Sequence, residues 1–340
     1  LNPSIEPRPQ HPCCGLPHRG TPGTRCWSSE RTPKFESLIA PERPPRTSLT
    51  GTHPAHIPVQ SRFHSTATGI AQMSLPPASG KRYFRTQLHA GTDSETELIE
   101  EVPVAISYGD ITHGIMMLTP TDLDDFLLGF SLSEGVIRRA ADLLDWTLTT
   151  THTPDGLPAY LLDATLSARR QSNYRSRQRQ MMGATGCGLC GTDSLESAFV
   201  PLEPLQPSPL LPRAQLSQLR DQLTRAQTLG PQVGAIHAAA LIDPQGTLIA
   251  CREDIGRHNA LDKLIGHALR REHSLTGHTL VMSSRCSVEL VNKAVMAGAS
   301  TLVNLAAPST LAVDRARRYG LNLVHLARDN QPRYFSPVTE

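Results

Sequence analysis

The chain of 340 residues is 39% hydrophobic and 19% charged with a net charge of +2, enough for one large or two ordinary domains and no global argument for nucleic acid. No apolar run reaches the roughly eighteen residues of a membrane span. Its seven cysteines, odd in number and irregularly spaced, read as the reduced thiols of a cytoplasmic protein rather than a disulfide frame.

Residues 1–78 hold half of the 28 prolines and no sustained hydrophobic period, and are expected to be a disordered extension. Their Arg- and Ser-bearing composition faintly suggests a transit peptide; without an amphipathic helix, an over-extended gene model is the expected reading. Order begins near Tyr83. Glu101–Tyr108 and Ile111–Leu118 predict a hairpin turning at Gly109-Asp110. Thr119-Pro120-Thr121-Asp122 then predicts a helix with an N-cap and a first-turn proline, its Leu123, Phe126, Leu127 and Phe130 burying one face on the hairpin. Asp142–Leu166 predicts further strands around Pro154-Asp155-Gly156. An arginine run and a glycine-rich connection close a smaller N-terminal α+β domain, residues 79–200.

Pro201–Pro212 reads as a linker, and Arg213–Thr228 as one polar-faced helix. Ile236–Asp243 and Thr247–Cys251 form a second hairpin around Pro244-Gln245-Gly246. Helices and strands then alternate: helix Arg257–Arg270, strand Thr279–Met282, helix Ser287–Ala297, strand Thr301–Leu305, helix Ser309–Tyr319, strand Leu321–Leu326. Residues 201–340 are therefore expected to form an α/β layered sheet with helices on both faces.

The chain is organised around Gly186-Cys187-Gly188-Leu189-Cys190-Gly191. Two cysteines on a glycine-flanked loop can approach a ligand or a second protein closely, as a reactive-sulfur site or as half of a zinc site. Arg169, Arg170, Arg175, Arg177 and Arg179 precede it with no carboxylate among them, which would favour a thiolate at Cys187 or Cys190. No second CxxC is present to complete a zinc site, although an intersubunit site, with the protein a scaffolding module, remains the alternative.

Two helix starts in the sheet domain are dense in polar residues: Arg252-Glu253-Asp254-Ile255-Gly256-Arg257-His258-Asn259 and Ser283-Ser284-Arg285-Cys286-Ser287. Strand ends facing helix starts bind ligands in α/β sheets, so Arg252, Arg257 and Arg285 are candidates to hold a pyrophosphate. A hairpin followed by a helix with an N-terminal His and a helix with an N-terminal Cys is also how zinc nucleoside deaminases arrange their metal. Those need a Glu two residues after the His and a second Cys three after the first, where this chain has Ala260 and Glu289, so no metal site is expected. His113 and His237, each alone on a strand, are assigned no role.

The segments Glu101–Ile106, Leu118–Leu123, Cys187–Cys190, Arg252–Lys263 and Lys293–Gly298 together resemble the FdhD family of formate dehydrogenase accessory sulfurtransferases, from about Arg82 to Phe335. The resemblance implies a cytidine-deaminase-like fold joined to the smaller N-terminal domain. It implies a sulfur carrier that takes persulfide sulfur from a cysteine desulfurase and passes it to the molybdenum of bis-molybdopterin guanine dinucleotide before that cofactor enters formate dehydrogenase. Cys187 would carry the persulfide, and Cys190 would relay, protect or assist. Cofactor contacts are implied at Leu326, Ala327, Arg328, Asp329, Asn330 and Gln331, where Arg328 alone matches the family pattern well. A homodimer is expected.

Overall fold

The computed structural model describes residues 81–86, 93–178, 199, 201–234 and 236–336; the extension 1–78, Cys187 and Cys190 lie outside them. A two-stranded hairpin, β1 (Lys81–Thr86) and β2 (Asp93–Leu98), leads into β3 (Val102–Tyr108), β4 (Ile111–Leu118) and α1 (Leu123–Ser133). A 3-10 turn (Ala140–Asp142), β5 (Leu143–His152), β6 (Pro158–Leu166) and α2 (Ala168–Gln178) follow. The sheet order is β4-β3-β6-β5, with β3 and β6 parallel and the other pairs antiparallel.

Three short helices, α3 (Arg213–Leu216), α4 (Leu219–Ala226) and α5 (Gly230–Val233), precede the second sheet. That sheet comprises β7 (His237–Ile242), β8 (Leu248–Asp254), β9 (Thr279–Met282), β10 (Thr301–Asn304), β11 (Asn322–Leu326) and β12 (Pro332–Tyr334). Between them lie α6 (Arg257–Arg270), α7 (Val288–Met296) and α8 (Thr310–Tyr319). The order β12-β11-β10-β9-β7-β8 realises the expected layered sheet, with β9, β10 and β11 parallel and β7 antiparallel to both its neighbours. On β7, Ala239 and Leu241 enter one core while Ala238, Ala240 and Ile242 enter the other, so the strand is covered on both faces. The first core runs from the four-stranded sheet through α1 and α6; the second is closed by Leu216, Leu219 and Leu223 of α3 and α4.

Four local expectations are corrected. The Arg213–Thr228 helix breaks after Leu216, where the Ser217 hydroxyl donates back to Arg213 O at 3.0 Å and competes with the backbone ladder. The arginine run, expected on a connection, is helical as far as Gln178 in α2, with Arg179 outside the described residues; the helix is anchored by buried Tyr174, whose hydroxyl lies 2.9 Å from His113 Nδ1. Asp122 does not cap α1: it is left-handed (φ 49°) with its carboxylate 3.5 Å from Arg252, and Pro120 precedes the helix. The three-residue β12 was missed as too short to show a period.

α1 packs directly on α6. A Cβ placed on Gly129 would overlap the Asp262 carbonyl and lie 2.8 Å from Gly266 N; one on Gly266 would overlap the Asp125 carbonyl and lie 2.8 Å from Gly129 N. Two glycines therefore bring the helices into backbone contact. Tyr108 of β3 reaches the same helix, its hydroxyl 2.7 Å from Ser131 Oγ, which fixes the hairpin on α1 as expected.

Candidate functional site at the carboxyl edge of the large sheet

β8, β9, β10 and β11 end on the same edge, where β7 begins. At the end of β8, Asp254 and Lys263 are both fully buried and pair at 2.7 Å. The Asp254 carboxylate also accepts the amides of Thr119 (3.0 Å) and Gly256 (2.8 Å) and the Asn259 side chain (2.9 Å). Lys263 donates to Thr119 O (2.9 Å), Glu253 O (3.1 Å) and Thr121 Oγ1 (3.2 Å). Every polar atom of the pair has a partner, which is what a buried ion pair requires. This segment, the most distinctive in the sequence, is thus an internal brace between the α6 start and residues 117–121, which Asn259 also grips through Met117 O at 2.9 Å.

Glu253 turns the other way. Its carboxylate accepts the amides of Thr228 (2.7 Å), Leu229 (2.9 Å) and Gly230 (2.9 Å), anchoring the turn into α5. Burial alone would raise its pKa, but these backbone donors outweigh it and hold the carboxyl below its ordinary value. The turn it anchors walls a cavity of about 670 Å³, lined among others by Thr224, Gln227, Gly230, His237, Ile255 and Ser283. The His237 imidazole is held below its ordinary pKa by burial and then by nearby Arg257, so it is neutral at pH 7.

The three arginines expected to hold pyrophosphate separate here. Arg252 is occupied elsewhere: its Nε and Nη2 lie 2.8 and 2.7 Å from Asp125 Oδ2, with His267 Nδ1 2.6 Å from Nη2. Its side chain alternates to the α6 face of β8, where a fully buried carboxylate takes it. Arg257 and Arg285 stand at the ends of β8 and β9, and among the described residues neither meets a carboxylate. The Leu326–Gln331 segment forms the turn from β11 into β12 on the same edge, with Asn330 left-handed at φ 56°. Leu326 and Ala327 are buried while Arg328, Asp329 and Gln331 are exposed.

Arg220, which no sequence pattern singled out, clamps that turn: it donates to Leu326 O (2.7 Å), Ala327 O (2.9 Å) and Asn330 Oδ1 (3.0 Å). Thr224, one helical turn further along α4, lines the cavity, so one helix connects cavity and turn. The single available signal was the polar face of that helix.

His258 and Cys286, the deaminase-like pair, form no metal site. His258 Nε2 faces Glu289 Oε2 at 4.0 Å, and burial, then Arg257 and Lys293, push the imidazole pKa down to about 4. The buried Cys286 thiol is pushed up to about 12 by burial and Glu289, and burial does the same for Cys251. Among the described residues no group of three His, Cys, Asp or Glu could hold a metal ion. Of the arginines ahead of Cys187, Arg170 pairs with Asp142 at 2.9 Å and Arg175 with Asp110 at 2.8 Å, so their charge is partly neutralised.

Residues 99–339 match the model of the FdhD/NarQ family. The chain is 39% identical over 255 residues to the sulfur carrier protein FdhD of Agrobacterium fabrum, covering 74% of this chain and 92% of that protein. It is 37% identical over 269 residues to the protein of the same name from Cupriavidus necator, covering 78% and 90%. Among solved structures, a putative formate dehydrogenase accessory protein from Desulfotalea psychrophila superposes with a TM-score of 0.56 at 22% identity, over 77% of this chain and 98% of that one.

Proposed function

Because the chain belongs to the FdhD/NarQ family, we propose that it is a sulfur carrier serving formate dehydrogenase, with Cys187 as the persulfide-bearing residue. One observation narrows the choice of sulfur to two cysteines, and the family resemblance implies the first of them, Cys187. Four cysteines fall inside the matched region, and two of them, Cys251 and Cys286, have thiols held protonated by burial, which leaves the glycine-flanked Cys187 and Cys190. In the proposed step, the Cys187 thiolate attacks the outer sulfur of a cysteine desulfurase persulfide. A new S–S bond forms on Cys187, the donor's S–S bond breaks, and the donor sulfur departs as thiolate, so no oxidant is consumed. Cys190, three residues on, assists or relays the sulfur.

The cargo that receives the sulfur is the molybdenum of bis-molybdopterin guanine dinucleotide, a substrate rather than a resident group. The carboxyl edge supports this reading with a cavity of about 670 Å³, Arg257 and Arg285 at strand ends, and the Leu326–Gln331 turn held by Arg220. Guanidinium groups beside helix N-termini suit the diphosphates of the two nucleotide tails.

The test is mass analysis after incubation with a cysteine desulfurase and cysteine. A one-sulfur adduct on Cys187, absent from Cys187→Ala, is expected. An adduct that persists in Cys187→Ala, or none in the wild type, refutes the assignment.

A further inference from the structure

A second cavity, of about 420 Å³, lies away from the sheet edge and shares no lining residue with the first: Arg138, Arg139, Asp142, Ser167, Arg169 and Arg170 surround it. Four arginines and one carboxylate line it. Asp142 Oδ2 accepts both the Arg138 amide at 2.9 Å and Arg170 Nε at 2.9 Å. Arg139 reaches it only at 3.5 Å with its side chain 79% exposed, which makes a weak pair. Among the described residues, Arg138 and Arg169 meet no carboxylate with their side chains, and both are exposed. Arg169 and Arg170 also occupy the first turn of α2, which contains no acidic residue. Cations there oppose the helix dipole, an arrangement that a bound anion would relieve.

We infer that this cavity is an anion site for a diphosphate-class group, held by Arg138, Arg139 and Arg169 with the free amides of the α2 first turn. A planar fork at each of three arginines matches phosphoryl oxygens, and a half-open hollow of this size admits a small polyanion. α2 ends at Gln178, nine residues before Cys187 in the sequence, so the site anchors the element from which the thiol-bearing segment departs. The inference goes beyond the sheet-edge reading and does not depend on it.

The test is titration calorimetry of the full chain with inorganic diphosphate at low ionic strength. Wild type is expected to bind, and Arg138→Gln/Arg169→Gln to bind about ten- to a hundredfold more weakly. Arg175→Gln, on the same helix but paired with exposed Asp110, is expected to bind like wild type. Where the double variant does not fold, Arg138→Gln alone serves, since that side chain is exposed and its backbone bond to Asp142 survives. A parallel titration with GDP separates the sources: loss of both ligands in the double variant assigns a nucleotide's diphosphate, loss of diphosphate alone a free anion, and either supports the site. No binding by wild type, equal binding by the double variant, or an equal loss in Arg175→Gln overturns it. Loss in Arg257→Ala with retention in the double variant overturns it too, by placing the anion at the sheet edge. An acidic peptide that binds more tightly than diphosphate through the same arginines replaces it with a protein-docking surface.

Discussion

Lys263→Met isolates the brace that holds the α6 start against residues 117–121. The ammonium is fully buried, pairs with Asp254 at 2.7 Å and donates to two carbonyls and a hydroxyl. Methionine fills a similar volume, so little of the effect comes from a cavity. What remains is a buried carboxylate without its countercharge and two carbonyls short of a donor, for which about 3–5 kcal/mol is expected. Against a total stability of roughly 5–15 kcal/mol, that is a large fraction. At roughly 2–4 °C per kcal/mol for a domain of this size, the melting midpoint should fall by about 6–20 °C. Denaturant unfolding should show a lower midpoint at unchanged slope, the mark of lost stability without a change in exposed surface. Arg175→Ala provides the internal scale, because its pair with Asp110 is 51% and 74% exposed and its loss should barely move the melting midpoint. A Lys263→Met loss no larger than that would mean the ammonium is hydrated and the brace carries no load.

Gly266→Ala should cost at least about 1–3 kcal/mol by driving α1 from α6, since the added methyl meets backbone rather than a side chain that could move; thermal melting checks it, and a neutral result refutes the backbone contact. Glu253→Gln should destabilise the protein at neutral pH. The native carboxyl titrates below its unfolded value, so its contribution is complete above about pH 4.3 and is lost as pH falls through the depressed native pKa; the gap between wild-type and variant melting midpoints should close on acidification. Arg257→Ala should weaken GDP binding about ten- to a hundredfold by calorimetry, whereas equal affinities would remove Arg257 from the cargo site. Cys187→Ala should abolish client formate dehydrogenase activity in cells and Cys190→Ala should leave part of it, full activity in the former being the refuting result.

Much of the large sheet was legible because its strands and helices alternate in short, strongly patterned stretches: the helix expected from about Arg257 to Arg270 is α6. α2 was not legible. Its residues are almost all polar, and it is pinned by Tyr174, whose partners Tyr108 and His113 lie in a distant hairpin. Arg252 and Arg257 look alike in sequence, and what separates them is Asp125, 127 residues from Arg252 and on another element. The same holds for Asp254 and Lys263: a run of charge beside a helix start reads as a ligand site, and only burial shows it to be a brace. Glu253, adjacent to both, does shape the candidate site, through three amides no pattern could assign to it.

α1 and α6 meet at Gly129 and Gly266, with ion pairs on one side of that point and a hydrogen bond between the helices on the other. Arg270 takes Asp124 and Asp125 at 2.7 Å each, and Asp262 takes Ser133 and Lys293 at 2.7 and 2.9 Å. Two rods pinned at three points along their length cannot slide or roll past one another without breaking a buried charge pair. Residues at the head of α6, Arg257 among them, therefore sit on a mount that moves only with the four-stranded sheet behind it. Any adjustment to an incoming ligand falls to the parts outside this mount, namely the α4–α5 turn on its carboxylate tether and the Leu326–Gln331 turn, which Arg220 holds by its backbone and Arg213 by the Gln331 side chain.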